Sequence, residues 1–511
     1  MDSVLPANPE ALLLPRIGMD PPGWWRKAHP DEMMAYEEGA DPARFASGAH
    51  HGAVVASPLY RKEAAERLAA LVSHLEEKYG EHVAGYHPCG QHTGEWFYHN
   101  SWAPALSGYA PADAREWRIW LRERYGDDAA LRRAWGDAAV ALDAAPVPSP
   151  AQRRAAPAGV LRDPASQRML VDWAEYRQEA MAECVCTLAR AVRQASGGRK
   201  LVLFFYGYVF EFGALGSEPA TSGHYALRRV LQSPDIDVLC SPISYFDRGL
   251  GQSAPAMTAA ESVTLAGKMW LNEDDTHTYL ATEKFPGWDR HVSTLAETNA
   301  QLVRNTAQEA LRNFATWWMD LGSSGWFNDA ALWAEMKRLK ALDEAMLARP
   351  TPFRPEVAAV VDERAMLRVG WGGSAVTRPC VYEARGPLAR MGAPYGQYLQ
   401  DDVAAGRVAA KLYVFLSPWL VPDADRAALL RATRGAVRVW CYAPGWLNET
   451  GPSPDGMRQL TGFRLERVSP PAARCEPTEA GKKLGLTRGW GSDKPLQPLF
   501  AAADARPEET L

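Results

Sequence analysis

Two glutamates in this chain stand at the ends of apolar, strand-like segments and are surrounded by aromatic and hydrogen-bonding residues. Glu95 lies in GYHPCGQHTGEWFYHNSW, after a predicted strand at residues 82–87. Glu273 lies in GKMWLNEDDTHTYL, after a predicted strand at residues 268–271. In a barrel of alternating strands and helices, catalytic groups lie at the carboxyl ends of the strands. Two carboxyl groups that meet there beside aromatic rings indicate a retaining glycosidase.

The two glutamates are expected to have different roles. Apolar walls around Glu95 would raise the pKa of its carboxyl group, as an acid catalyst requires. Glu273 belongs to the run NEDD, in which Glu273 and Asp275 share one side of a strand while Asp274 takes the other. We therefore predict that Glu95 is the acid/base and Glu273 the nucleophile. Asp275 is the substitute if the register differs by two residues.

Further side chains near the two glutamates could bind a sugar, because indole rings cover its C–H faces and polar groups meet its hydroxyls. The predicted substrate-binding residues, in chain order, are Trp24, Gln91, His92, Trp96, Tyr245, Asp275, His277, Trp318 and Asp320. Trp317 and Trp318 alternate in facing, so only one of them can form the floor of the site. Asp320 is either a polar contact or a helix cap, and each aromatic residue could instead belong to the core.

The composition is that of a globular protein, with 47% hydrophobic residues, 23% charged residues and a net charge of −5. This mild acidity gives no electrostatic reason to expect nucleic acid or an anionic membrane as a partner. The sequence has no apolar run long enough to cross a bilayer and no basic segment typical of a signal peptide. Its seven scattered cysteines are typical of reduced thiols, so we expect a cytoplasmic protein.

Strand and helix patterns alternate as far as about residue 345, which predicts a parallel (β/α) barrel. Strands are predicted at residues 11–19, 53–56, 82–87, 201–206, 238–240, 268–271 and 314–319. Helices are predicted at residues 61–79, 112–125, 166–195, 227–231, 259–265 and 293–313. An eight-stranded barrel needs every strand to close its ring, and only seven are predicted. We expect that the first strand of the barrel is missing.

The pattern changes after RPTPFRP at residues 349–355. Apolar runs at 357–361, 411–416 and 436–441 predict buried parallel strands of a second, smaller α/β domain. The expected organisation is a catalytic barrel over residues 1–350, an α/β domain over 351–480 and a polar tail over 481–511. Neither a dinucleotide-binding nor a phosphate-binding glycine motif is present in the second domain.

Several segments, taken in order, resemble glycoside hydrolase family 42, the β-galactosidase-like family. They are RIGMDPPGWWRKAHPDEM, SPLYRKEAAERLAALVSHLEEKYGEHVAGY, WLRERYGDDAALRRAWGD, KMWLNEDDTHTYL and TWWMDLGSSGWFND. The second domain, with GMRQLTGFRL, is similar to the flavodoxin- or amidotransferase-like trimerisation domain of that family. The resemblance covers about residues 10–470.

The resemblance implies a TIM barrel, retaining hydrolysis of β-galactosides and a homotrimer. It places Glu95 on the family's acid/base and Glu273 on its nucleophile, and it puts Tyr245 where a tyrosine often touches the nucleophile. One departure is Gly94, which stands where the family has an asparagine that binds the sugar 2-hydroxyl. No cysteine cluster matches the structural zinc that family members can carry, and two carboxyls suffice for the reaction, so neither metal nor cofactor is expected.

A second function class stays open beside the retaining exo-glycosidase. An incomplete barrel ring could hold a sugar yet position catalytic groups badly, and errors of about 1 Å are costly in catalysis. The chain could then be a non-catalytic or impaired carbohydrate-binding protein. The presence of both glutamates and their aromatic surroundings favours the enzyme.

Overall fold

The computed structural model describes residues 1–41, 52–282, 292–321, 323–506 and 509. Its larger sheet has six parallel strands, each paired with the next in chain order. They are β1 (Arg16–Gly18), β2 (Gly85–Cys89), β3 (Leu201–Phe205), β4 (Val238–Pro242), β5 (Met269–Asp274) and β6 (Ala315–Trp318). Within the described residues no ladder joins β1 to β6. The architecture is that of a TIM-type barrel with six of the eight strands of a full ring.

The strand predicted at residues 53–56 is wrong. Ala53 makes an isolated antiparallel bridge with Met33, and the chain then turns into a helix. Ser57 accepts a hydrogen bond from the backbone N–H of Tyr60 (3.1 Å) and Pro58 occupies the first helical position, so the helix begins where the strand was expected. The apolar run is buried, but it fills the core as a turn.

The predicted helices are confirmed, with ends that differ by at most three residues. The barrel domain has the helices α1 (Gly23–Ala28), α2 (Pro58–Tyr79), α3 (Pro111–Tyr125), α4 (Asp128–Trp135), α5 (Pro150–Arg154), α6 (Arg168–Ala195), α7 (Leu227–Leu231), α8 (Ala260–Leu265), α9 (Leu295–Arg312) and α10 (Ala330–Leu347). The six that were predicted are α2, α3, α6, α7, α8 and α9. Pro58 and Pro111 occupy the first positions of α2 and α3, where a backbone N–H would have no partner within the helix. Thr294 and Glu297 form a capping box at the start of α9.

A second α/β unit follows, built on a four-stranded parallel sheet in the order β10–β9–β7–β8. Its strands are β7 (Val357–Val361), β8 (Tyr395–Leu399), β9 (Leu412–Phe415) and β10 (Val437–Trp440). Its helices are α11 (Glu363–Met366), α12 (Ser374–Thr377), α13 (Arg385–Ala389), α14 (Gln400–Ala404), α15 (Asp423–Ala432), α16 (Pro454–Thr461) and α17 (Glu479–Lys483). The sequence analysis missed β8, because Gly396 and Gln397 interrupt its apolar pattern.

The segment expected to be a polar tail from residue 481 contains further strands. Strand β11 (Leu465–Val468) pairs antiparallel with β14 (Leu499–Ala502), and β12 (Ala473–Cys475) pairs with β13 (Trp490–Ser492). The carbonyl of Gln497 accepts a hydrogen bond from Val160 N–H (2.8 Å), which attaches this segment to the barrel domain. These short strands expose many of their residues, so their sequence has no apolar pattern to reveal them.

The barrel and the second sheet share one continuous apolar core. Barrel residues such as Phe205 and Leu239 belong to the same buried cluster as Val357 and Trp419 of the second unit. Among the described residues, no helix is long and apolar enough to cross a membrane.

Candidate active site

Glu95 lies on a tight loop that follows strand β2. Gln91, Thr93 and Trp96 all have left-handed backbone angles, with φ of 63°, 53° and 57°. Such conformations cost about 1–3 kcal/mol each unless the surrounding structure enforces them. Here Trp96 enforces the loop, because it is fully buried and its indole N–H donates to the carbonyl of Pro88 (2.9 Å). Trp96 is therefore a loop anchor, and the prediction that it binds sugar is wrong.

The Glu95 carboxyl group is partly exposed and has two hydroxyl partners. The hydroxyl of Thr93 donates to Oε1 (2.6 Å) and that of Tyr208 donates to Oε2 (2.8 Å). Burial, with a smaller contribution from the charge of Asp275, raises the pKa of Glu95 to about 7 against the opposing effect of the two hydrogen bonds. A carboxyl group that keeps its proton up to neutral pH is suited to general acid catalysis.

His224 holds the Glu95 loop against the loop that follows strand β3. Its Nδ1 accepts hydrogen bonds from the backbone N–H groups of Gly207 (3.1 Å) and Tyr208 (3.2 Å). Nε2 therefore carries the proton and donates to the carbonyls of Glu95 and Trp96, both at 3.1 Å. Burial lowers the pKa of His224 to about 3, so the ring stays neutral and keeps this donor and acceptor arrangement.

Glu273 lies inside strand β5, although the sequence analysis placed it just after the strand. Its carboxyl group points into the barrel, where Oε2 accepts from Trp317 Nε1 (3.0 Å) and pairs with Arg16 Nη1 (3.3 Å). Burial raises the pKa of Glu273 to about 8, with the charge of Asp275 as the second cause, and Arg16 opposes the shift. The strand is longer than predicted because the polar residues of NEDD find partners on both of its faces.

Asp275 is the third carboxyl group of the site. Its Oδ2 accepts from the hydroxyl of Tyr245 (2.8 Å) and its Oδ1 pairs with Arg248 Nη1 (2.6 Å). Tyr245 was predicted to touch the nucleophile Glu273, but its hydrogen bond goes to Asp275. Strand pairing explains the difference: Pro242 lies opposite Glu273, so Tyr245, three residues further on, lies beyond Glu273 and within reach of Asp275.

The last barrel strand turns Trp317 inward and Trp318 outward, which contradicts the prediction that Trp318 lines the site. Trp317 contacts Glu273, whereas Trp318 packs with Leu302 and Leu332 of the outer helices. The two oxygens of Asp320 accept from the backbone N–H groups of residues 324–326. Asp320 thus caps a turn and no helix, so neither of its two predicted roles is confirmed, and its contact with a sugar stays a prediction.

The remaining predicted sugar contacts differ in their surroundings. Gln91 is buried and its amide donates to the carbonyl of Ala53 (3.0 Å), and His277 is buried with its ring 4.6 Å from that of Trp326. His92 is partly exposed on the Glu95 loop, and Trp24 is 62% exposed on helix α1. Contacts of His92 and Trp24 with a sugar stay predictions.

Four functional residues were missed by the sequence analysis: Arg16, Tyr208, His224 and Arg248. Arg16 had a local signal, since it is a lone cation directly after the apolar run LLLP. The other three lie on loops after β3 and β4 and reach the site only through the fold. Tyr208 and Arg248 bond carboxyl groups, and His224 bonds the backbone of the Glu95 loop.

A cavity of about 770 Å³ lies elsewhere in the molecule. Leu201, Val238 and Met269 line it at the amino ends of β3, β4 and β5, together with residues of the second unit such as Phe353. The three carboxyl groups lie toward the opposite ends of the strands. We assign the active site to the carboxyl groups, because a parallel barrel presents its loops and reacting groups at the carboxyl ends.

Comparisons with known proteins agree with this architecture. The model of glycoside hydrolase family 42, described as "Beta-galactosidase", matches residues 11–216. A β-galactosidase from Thermus thermophilus is 35% identical over 120 residues, which is 23% of this chain and 16% of that relative.

Solved structures match over nearly the whole chain. The β-galactosidase from Halorubrum lacusprofundi matches with a TM-score of 0.61 at 15% identity, over 98% of this chain and 74% of that one. The β-galactosidase from Marinomonas ef1 matches with a TM-score of 0.60 at 15% identity, over 96% and 74%. At such low identity these two likenesses show the fold alone. The family match is confined to residues 11–216, so over that segment the chain is similar to glycoside hydrolase family 42, and over its remainder the comparisons show the shared fold.

Proposed function

We propose that the chain is a retaining exo-glycosidase that hydrolyses a β-linked sugar in the manner of a β-galactosidase. The observation that carries this proposal is the carboxyl cluster itself. Glu95, whose pKa is raised to about 7, lies close enough to Asp275 and Glu273 for their charges to affect one another. Two carboxyl groups about 5–5.5 Å apart are what retention requires.

The proposed reaction has two displacements. In the first, a carboxylate oxygen of Glu273 bonds to the anomeric carbon as the glycosidic bond breaks, and Glu95 gives its proton to the departing oxygen. In the second, Glu95 takes a proton from water, whose oxygen attacks the anomeric carbon and releases Glu273. Trp317 and Arg16 both donate to Oε2 of Glu273. They would stabilise the carboxylate as its charge returns.

Asp275 is the rival candidate for the nucleophile, and a specific observation favours it. Tyr245 and Arg248 both donate to its carboxyl group, so two side chains fix its orientation. Glu273, by contrast, keeps its proton up to about pH 8. We retain Glu273 as the proposed nucleophile because the resemblance of KMWLNEDDTHTYL to the family's nucleophile strand implies that role and because Glu273 contacts Trp317.

The sugar specificity of the site is less constrained than the reaction class. Gly94 has φ of 83°, and a Cβ placed there would lie 3.2 Å from the Cβ of Cys89. The loop is thus shaped around a glycine at the position of the family's asparagine. We propose a β-galactoside as the substrate, with His92 as the candidate partner for its hydroxyl groups.

The test is hydrolysis of aryl β-glycosides of several sugars by the wild-type chain and by Glu95→Gln and Glu273→Gln. We expect β-galactoside turnover, release of the β-anomer first in a proton NMR time course, and loss of turnover in both variants. Release of the α-anomer would contradict retention. A folded wild-type chain that turns over none of the glycosides but binds galactose in calorimetry would support the non-catalytic alternative.

Assembly as a homotrimer stays a prediction that rests on the resemblance of the second domain. Sedimentation equilibrium of the full chain tests it, and a monomer of 56.2 kDa would contradict it. A cytoplasmic location likewise stays a prediction.

A further inference from the structure

A buried ion pair connects the second unit with the loops around the carboxyl cluster. Arg385, the first residue of helix α13, is fully buried and its Nη2 donates to Glu211 Oε2 (2.9 Å). The hydroxyl of Ser244 donates to the same oxygen (2.6 Å) and lies 3.2 Å from Arg385 Nη2. Glu211 and Ser244 are themselves buried, on the loops that follow strands β3 and β4.

The guanidinium of Arg385 is fixed in place from both units. Its Nε donates to the carbonyl of Tyr382 (2.9 Å) and its Nη1 to the carbonyl of Ala256 in the barrel domain (2.9 Å). The Tyr382 ring covers it, with 4.8 Å between the guanidinium carbon and the ring centroid. A buried cation is costly unless its hydrogen bonds are made, so this geometry tolerates little displacement.

Both loops that this ion pair joins carry a tyrosine of the active site. Tyr208 and Glu211 belong to one turn, closed by the bond from Phe212 N–H to the Tyr208 carbonyl (3.0 Å). Ser244 directly precedes Tyr245. The hydroxyl of Tyr208 holds Glu95 and that of Tyr245 holds Asp275, so neither tyrosine can shift without strain on the ion pair.

We propose that Arg385, Glu211 and Ser244 are positioning residues through which the second unit holds Tyr208 and Tyr245 against the carboxyl groups. The second unit then acts on catalysis as well as on assembly. The kinetic part of this inference rests on the proposed glycosidase function. Its central claim is that the ion pair determines the hydrogen bond between Tyr208 and Glu95, and this claim does not depend on the proposed glycosidase function.

The test is Glu211→Gln in the full chain, which keeps the shape of the side chain and removes its charge. We expect kcat to fall about tenfold with KM changed less than about threefold, because small errors in the placement of reacting groups act on the chemical step. The Tyr208 hydrogen bond lowers the pKa of Glu95. Its loss should therefore move the basic limb of the kcat/KM profile to higher pH.

Glu363→Gln is the matched control. Glu363 also joins the two units, since its carboxylate accepts from the N–H of Leu227 (2.8 Å), but it touches neither tyrosine loop. We expect its pH profile to match that of the wild type. If Glu211→Gln does not fold, Ser244→Ala removes a single donor and should shift the limb in the same direction by less.

Carbon-13 NMR titration of the Glu95 carboxyl group separates the inference from the proposed function. An upward shift of its pKa in Glu211→Gln supports the positioning role even if the wild type hydrolyses no glycoside. An unchanged Glu95 pKa and an unchanged pH profile in a folded variant overturn the inference, whatever the activity of the wild type.

Discussion

The two faces of strand β5 carry similar residues in different surroundings. Toward the barrel interior, Glu273 and Asp275 meet the charged donors Arg16 and Arg248. Toward helix α9, the partners are uncharged: Asn305 Nδ2 donates to Asp274 (3.0 Å), and Asn272 donates to Glu309 (3.0 Å).

Burial alone does not distinguish a catalytic carboxyl group from a structural one in this strand. It raises the pKa of Asp274, of Glu273 and, well above its usual value, of Glu309. The inner face differs because a third carboxyl group, Glu95, lies across from it on a loop at the carboxyl ends of the strands. The proposed reaction therefore needs carboxyl groups that come together from separate strands, and a single NEDD run cannot provide them.

Substitutions on the two faces should separate activity from stability. Glu273→Gln should lower kcat by about 10⁴-fold, because it removes the proposed nucleophile and leaves no replacement at the anomeric carbon. Asp274→Asn, its neighbour on the outer face, should change kcat by less than about threefold and lower the free energy of unfolding by about 1–3 kcal/mol. Steady-state kinetics and urea denaturation check both. Equal losses of activity in the two variants would contradict the division between the faces.

Glu95→Gln tests the opposing loop, with an effect that depends on the substrate. Hydrolysis of a disaccharide should fall about 10²–10⁴-fold, since its leaving oxygen needs a proton. Hydrolysis of a dinitrophenyl glycoside should fall much less in its first step, because that leaving group departs as an anion. Pre-steady-state kinetics on the two substrates give the comparison. The same loss on both would argue against Glu95 as the acid.

The pH dependence should reflect both raised pKa values. The nucleophile must lose its proton and the acid must keep its proton, although Glu273 has the higher pKa of about 8 and Glu95 the lower pKa of about 7. The reactive protonation state is therefore a minority form, and its population is highest between these two values. The two carboxyls titrate as a pair, and the kcat/KM profile should be a narrow bell with its maximum between about 7 and 8. A maximum near pH 5 would contradict the burial of the cluster.

Glu309→Gln should have the smallest effect, and only on stability. Folded Glu309 keeps a proton that the unfolded carboxyl releases above its usual pKa of 4.5, so the wild-type fold loses stability as the pH rises through that value. The variant has no such loss. At pH 5 the two should agree within about 1 kcal/mol, and at pH 8 the variant should be the more stable. If the free energy of unfolding of the wild type instead rises relative to that of the variant between pH 5 and pH 8, Glu309 is ionised in the folded protein.

Local signals were enough to predict the helices and most strands. In the structure, Ser57 with Pro58 and Thr294 with Glu297 cap two of these helices, whose starts were predicted only to within three residues. The run at residues 53–56 was too short to distinguish a strand from a buried turn. The barrel sheet therefore has six of the seven strands that were predicted.

The candidate site was predictable in its glutamates but not in its partners. Trp317 and Trp318 have the same local sequence context, and only the register of β6 decides which one faces inward. Tyr208 reaches Glu95 from 113 residues away and Arg385 reaches Glu211 from 174 residues away. Contacts of that kind leave no periodicity or motif in the chain, because the fold alone brings the residues together.

The most direct test of the proposed mechanism is covalent trapping with a 2-deoxy-2-fluoro glycoside of the sugar that the wild type hydrolyses best. After proteolysis, tandem mass spectrometry of the peptide that contains NEDD locates the attached sugar. The proposed mechanism predicts one sugar per chain, attached to Glu273. A sugar on Asp275, or turnover that leaves no labelled carboxyl group, would contradict the assignment of Glu273 as the nucleophile.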